Sequence, residues 1–122
     1  MHHAFSLNLQ VKLPPLPQQL GYQLFLIAKE GLINVQKHSE ATTATLSLYA
    51  ENEQIWLTLT DNGCGFERNA NTTGYGLQGI KERSQLLGGK VFIDTGPGTG
   101  TQLRVSIPRQ TTRQMTRQTT AA

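Results

Sequence analysis

Four short runs in this 122-residue chain carry side chains with chemistry to offer. The first is Glu30-Gly31-Leu32-Ile33-Asn34-Val35-Gln36-Lys37-His38-Ser39. On a helix, Glu30, Asn34 and then Lys37 or His38 line one face. A carboxylate, an amide oxygen and a cation in a row suit a metal-bound polyphosphate. Asn34 offers a neutral oxygen, the ligand type Mg²⁺ prefers, and Lys37 and His38 can meet phosphate oxygens. A solvated helix face would show the same pattern. The second run is Asp61-Asn62-Gly63-Cys64-Gly65-Phe66, directly after an apolar stretch. Asp-Asn-Gly is a turn signal, yet a second glycine follows and no alternation resumes. A carboxylate at a strand end, with glycines that let the backbone approach closely, can accept a hydrogen bond from an exocyclic amine such as that of adenine.

The third run is Gly74-Tyr75-Gly76-Leu77-Gln78-Gly79-Ile80-Lys81-Glu82-Arg83. Two glycines open a helix there, and free N–H groups at a helix N-terminus can hold phosphate oxygens. The run fits neither the dinucleotide fingerprint, which follows a first strand, nor the Walker phosphate loop, since no Gly-Lys-Ser/Thr occurs. In the fourth run, Gly100-Thr101-Gln102-Leu103, a turn enters a strand and Thr101 brings a hydroxyl that can reach a base directly or through water.

The elements that must position these runs follow from periodicity. Phe5, Leu7, Leu9 and Val11 alternate with polar residues, so Phe5 to Leu13 reads as a strand. Pro14, Pro15 and Pro17 interrupt it. Leu20, Leu24, Ile27 and Gly31 recur at helical spacing, which predicts a helix from about Gln18 to Lys37 with that stripe on a core. Ala44, Leu46 and Leu48 share one face of the next strand, and Ile55, Leu57 and Leu59 one face of its successor. Glu51-Asn52-Glu53 makes the pair a hairpin. Asp61 to Gly76 has no periodicity and reads as a long loop, a feature that is usually functional or mobile. A second helix, about Leu77 to Leu87, stops at Gly88-Gly89. Strands Lys90 to Thr95 and Thr101 to Pro108 complete the order, joined by Gly96-Pro97-Gly98-Thr99-Gly100. Strands with one apolar face and two helices predict a two-layer α/β sandwich.

Composition removes several function classes. The length allows one domain with one core. No apolar stretch approaches the ~20 residues of a spanning helix, and the N-terminus lacks the regions of a signal peptide. Cys64 is the single cysteine, which suits a reducing cytosol. The expected location is cytoplasmic, whether or not a longer protein is tethered to a membrane. The net charge is +3, but Arg109, Arg113 and Arg117 lie in an acid-free tail, so the body balances eight basic against eight acidic residues. Bulk charge gives a nucleic-acid groove no support. The polar tail, Arg109 to Ala122, is expected to be disordered, and residues 1–108 to form the domain.

Taken in order, the four runs resemble the N, G1 and G2 boxes and the final Gly-Thr strand of the GHKL ATPase superfamily (gyrase, Hsp90, histidine kinase, MutL). Glu30-x-Leu32-x-Asn34-x-x-Lys37-His38-Ser39 and Gly74-x-Gly76-Leu77-x-Gly79-Ile80-x-Glu82-Arg83 are similar to the nitrate-sensor and desaturase-sensor subfamily of histidine kinases. The likeness spans about Leu16 to Pro108. It implies a Bergerat α/β sandwich, a mixed sheet with helices on one face, that binds ATP and Mg²⁺. Asp61 would then accept from the adenine amine, with Gly63, Gly65, Phe66 and Thr101 around the base. Asn34 would bind Mg²⁺, and Glu30 would be the N-box acid, acting as base or as organiser of water and metal. Lys37, His38 and the run Gly74, Tyr75, Gly76, Leu77 and Gly79 would hold the phosphates, with the lid between Phe66 and Gly74.

In this family a helical pair carries the phosphoacceptor histidine and the dimer interface. The sequence holds no such pair: His2 and His3 sit in a short terminal stretch and His38 belongs to the nucleotide face. The expected partners are therefore a separate dimerisation and phosphoacceptor domain and a downstream response regulator, and the domain alone should be monomeric. Two other readings are a GHKL serine kinase of the anti-sigma type and a module that holds ATP without transfer. Lys37-His38 and the Gly-Leu-x-Gly-Ile-x-Glu-Arg run oppose the former; Glu30 with Asn34 opposes the latter. Nucleic-acid binding by the tail would rest on three arginines and no aromatic residue, and is not expected.

Overall fold

Two helices lie on one face of a five-stranded sheet because each has one apolar stripe to bury. The structure, a computed structural model, describes residues 5–63, 77–95 and 100–109, apart from the side chains of His38 and Ser39. His2, His3, the loop beyond Gly63, the Gly96–Thr99 connection and the tail after Arg109 lie outside these residues. Strand β1 is Ser6–Lys12, helix α1 Gln18–Asn34, β2 Thr43–Glu51, β3 Gln54–Asp61, α2 Leu77–Leu86, β4 Lys90–Thr95 and β5 Thr101–Pro108.

Pro17 immediately precedes α1, where its fixed φ is tolerated. The predicted stripe, Leu20, Leu24, Ile27 and Gly31, is buried, with Ala28 beside it. The helix does not run regularly to Lys37 as expected: after Asn34 it widens into a π-helical turn, Val35–Ser39, capped by Glu40 in the left-handed region. Its i→i+5 spacing advances successive side chains by a smaller angle than an α-helix does, which changes the direction of Lys37 relative to Asn34.

The expected hairpin joins β2 to β3. Asn52 and Glu53 both have positive φ, and Glu51 pairs with Gln54, the signature of a tight two-residue turn. Helix α2 ends where Gly88-Gly89 predicts. Gly88 has φ 71°, Gly89 N–H donates to the Ser84 carbonyl and Gly88 N–H to that of Gln85, a Schellman closure.

The strand order is β1-β2-β3-β5-β4. β1 is parallel to β2, with α1 as the crossover, and every other pairing is antiparallel, so the sheet is mixed as expected. The inner faces of β2, β3 and β5 meet the helices through Ala44, Leu46, Ile55, Leu57, Leu59, Leu103, Val105 and Ile107, all buried with Leu20, Ile27 and Ile80. Each fully buried Leu or Ile contributes about 1.5–3 kcal/mol. On the opposite face Arg104 lies 5.2 Å from the ring centre of Phe92 and 5.9 Å from that of Trp56.

The apolar face of β1 departs from expectation. Leu7, Leu9 and Val11 pair with Ala44, Leu46 and Leu48 and so share the helix side of the sheet, yet they are 43%, 60% and 52% exposed. The helices pack over β3, β4 and β5, and β1 at the edge extends beyond them.

Candidate functional site

Asp61 closes β3 and Thr101 opens β5, and register places them opposite each other. Forty positions apart in the chain, they become neighbours because β5 inserts between β3 and β4. Asp61 is only 7% exposed. Its carboxylate accepts a hydrogen bond from Gly63 N–H at 2.7 Å. Burial pushes the Asp61 carboxyl up from its ordinary value, opposed by hydrogen bonds from the backbone of Gly63 and Thr101. This carboxylate is therefore desolvated and held, the state suited to a charge-assisted hydrogen bond with a ligand.

The neighbouring residues hold that carboxylate in place. Asn62 accepts from Thr42 N–H at 3.0 Å and Thr43 N–H at 2.9 Å, and its amide donates to Thr42 Oγ1 at 2.9 Å, which pins the exit of β3 to the entry of β2. Gly100 has φ +76°, and a Cβ there would collide with the Asp61 carbonyl oxygen. The Thr101 hydroxyl shares a 2.8 Å hydrogen bond with that of Thr95. Thr60, Asp61, Asp94, Gly100, Thr101 and Gln102 line a cavity of about 440 Å³ at these strand ends. A larger cavity of about 720 Å³ is lined by Phe5, Gln36, Lys37, Glu40, Ala41 and Thr42. None of its lining residues is buried, whereas the smaller one borders the buried Asp61.

Helix α1 is seated against the same strands by Gly31. A Cβ at Gly31 would lie 2.8 Å from Leu59 Cδ2 and 3.5 Å from Leu103 Cδ2. Leu59 is two residues before Asp61 and Leu103 two after Thr101, a step of about 7 Å along each strand. The Glu30–Asn34 turn is thereby brought over the strand ends that carry Asp61 and Thr101. The Asn34 amide nitrogen is buried without a hydrogen-bond partner, so nothing inside the fold fully occupies this amide.

Glu30 faces α2. A Cβ on Gly79 would lie 2.6 Å from Glu30 Oε2, and Arg83 Nε is 3.6 Å from Glu30 Oε1. Arg83 Nη1 also donates to Gln23 Oε1 at 3.2 Å. Leu77, the first residue of α2, is buried and anchors that helix start.

A family model described as histidine kinase-, DNA gyrase B- and HSP90-like ATPase matches residues 21–111. The chain belongs to this ATPase family.

The curated proteins it resembles include sensor kinases. It is 40% identical over 86 residues to the sensor histidine kinase LiaS of Bacillus subtilis, covering 70% of this chain and 24% of that protein. It is 34% identical over 112 residues to the nitrate/nitrite sensor protein NarX of Escherichia coli, covering 88% of this chain and 19% of that protein. The chain thus spans about a quarter or less of these curated relatives. Among solved structures, the Erythrobacter litoralis EL346 blue-light activated histidine kinase matches with TM-score 0.79 at 22% identity, over 93% of this chain and 38% of that one. The ATP-binding domain of PrrB from Mycobacterium tuberculosis matches with TM-score 0.62 at 26% identity, over 82% and 79%. The α/β sandwich read from the sequence is therefore the fold of this ATPase family.

Of the expected ATP-site residues, the structure gathers Asp61, Gly63 and Thr101 at the strand ends, and sets Glu30 against Gly79. Lys37 opens instead onto the larger cavity. The side chain of His38 and all of Gly65, Phe66, Gly74, Tyr75 and Gly76 lie outside the described residues. Sequence reasoning passed over Gln23, Asn62, Thr95 and Arg83. Asn62 and Arg83 stood inside runs already singled out. Nothing in the sequence marks Gln23 or Thr95, whose partners come from another helix or strand.

Proposed function

We propose that this ATPase domain binds Mg-ATP and donates the γ-phosphoryl group to a histidine on a separate dimerisation domain. The observation that carries the reading is the desolvated Asp61 carboxylate at the end of β3, with the Glu30–Asn34 turn seated over the same strand ends. Asp61 accepts from the adenine amine, and Thr101, held by Thr95, fixes a hydroxyl beside it. Gly63 lets the backbone approach the base. The start of α2, from Leu77 to Gly79, with Gly65, Phe66, Gly74, Tyr75, Gly76, Lys37 and His38, completes the nucleotide contacts.

The Asn34 side-chain oxygen is the ligand type that Mg²⁺ takes, and the unpartnered amide nitrogen is a donor suited to a phosphate oxygen beside the ion. Mg²⁺ keeps waters and phosphate oxygens as most of its ligands. When bound, Mg²⁺ neutralises charge on the transferring phosphoryl group. Glu30 organises the acceptor side, as base or by holding water. Phosphoryl transfer needs positioning and charge compensation rather than a covalent step on this domain.

In this reading residues 1–108 are the catalytic domain and 109–122 a polar tail, the domain alone is monomeric and cytoplasmic, and a response regulator receives the phosphoryl group from the histidine. No nucleic acid takes part. Among the described residues no helix is long and apolar enough to cross a membrane. The test is to mix the chain with γ-labelled ATP, Mg²⁺ and a dimerisation domain of a related sensor kinase. Acid-labile, base-stable label on the acceptor histidine is the expected product, and its absence with active control kinase present refutes transfer.

A further inference from the structure

We infer that Arg83 is a positioning residue that holds Glu30 in its working orientation and ties that acid to the helix whose N-terminus faces the phosphates. The inference rests on the assignment of Glu30 made above and extends it to a residue with no assigned role.

Gly79 and Arg83 are four residues apart on α2 and share one face of this helix. Glu30 lies across that face with one carboxylate oxygen at each of them. Oε2 sits 2.6 Å from where a Gly79 Cβ would be, and Oε1 is 3.6 Å from Arg83 Nε. The carboxylate therefore occupies a notch floored by glycine backbone and walled by a guanidinium.

Arg83 reaches further. Its Nη1 donates to the Gln23 side-chain oxygen at 3.2 Å, and Gln23 is seven residues before Glu30, two turns away on the same flank of α1. One planar fork thus spans two turns of the neighbouring helix. Lysine has no second donor arm to do this. The Nε is buried and has no hydrogen-bond partner, although Glu30 stands just past hydrogen-bond reach. A buried donor left open is costly, so Nε has a driving force to keep the Glu30 oxygen beside it.

The charge balance points the same way. In the reading proposed above, the Glu30 carboxylate stands beside the bound polyphosphate. Without a nearby cation it would turn away toward water when phosphate arrives. Arg83 offsets that repulsion from behind, on the α2 side. Its removal should leave the nucleotide bound but Glu30 misdirected, a misplacement that costs a reaction far more than it costs binding.

The test measures single-turnover transfer from Mg-ATP to a supplied dimerisation domain, with ATP affinity determined separately. Arg83→Gln is expected to lower the transfer rate about tenfold to a hundredfold with ATP affinity nearly unchanged. Gln23→Ala, which frees one arm and keeps the charge, should give a smaller loss. In Glu30→Gln the further change Arg83→Gln should cost almost nothing, because a group acting only through Glu30 has no effect once that acid is gone. The Arg83 Nε–H resonance should also shift in Glu30→Gln relative to the wild-type chain. Equal loss of affinity and rate, full additivity in the double variant, or an unmoved Nε–H signal would each overturn the inference. If the wild-type chain transfers nothing, the transfer reading fails on its own, and the Nε–H signal still decides whether Arg83 holds Glu30.

Discussion

Replacing Asp61 by asparagine tests the adenine assignment most directly, because the structure separates its effect on binding from its effect on stability. The Asp61 carboxyl is raised by burial, against the opposing pull of the Gly63 and Thr101 backbone. A carboxyl whose folded-state value is raised binds its proton more tightly when folded. Its stability contribution is complete below the ordinary value of 3.8 and is lost as pH rises through the raised value. At neutral pH the wild-type domain carries that penalty. The Asp61→Asn variant would not, and its new amide oxygen can still accept from Gly63 N–H. The variant should therefore melt no lower than wild type at neutral pH, and any advantage should fade in acid. Binding should move the other way. Loss of a charge-assisted hydrogen bond costs about 1.5–3 kcal/mol, which weakens ATP roughly 10- to 150-fold. Calorimetric titration with Mg-ATP, beside a thermal melt of the same sample, reads both. Inosine triphosphate, which lacks the exocyclic amine, should bind the wild-type domain weakly and lose little more in the variant. Unchanged ATP affinity in the variant, or equal wild-type affinity for the inosine nucleotide, would refute the assignment.

Gly100→Ala should destabilise the fold by about 1–3 kcal/mol or more in a urea titration, since it combines φ +76° with a clash against Asp61 backbone, and ATP binding should weaken with it. Asn34→Asp should change affinity for ATP more with Mg²⁺ present than without; equal effects in both titrations would remove Asn34 from the metal. The chain alone, incubated with labelled Mg-ATP, should incorporate no stoichiometric acid-labile label, and added dimerisation domain should be labelled in proportion to its concentration. Stoichiometric self-labelling would place an acceptor within these 122 residues.

The elements and the identity of the chemical groups were legible in the residues alone. Periods of two and 3.6 are local properties, so β2, β3, β4, β5 and most of α1 and α2 could be read from one stretch at a time. The ordered runs around Glu30, Asp61, Gly74 and Thr101 identified the ATPase family, because glycines and acids at strand and helix ends leave a local mark. Whatever depends on distant neighbours was settled by packing. Alternation in β1 marks a face but says nothing of what covers it; the strand lies at the sheet edge beyond the helices, and Leu7, Leu9 and Val11 stay exposed. Widening of α1 after Asn34 is a departure in hydrogen-bond spacing that residue types did not announce. Thr101 meets Asp61 only because β5 inserts beside β3. Arg83 meets Gln23 and Glu30 only because α2 packs along α1. A charged side chain on a helix surface looks alike in sequence whether its partner is water or a carboxylate far along the chain, and the packing of α2 on α1 is what tells the two apart.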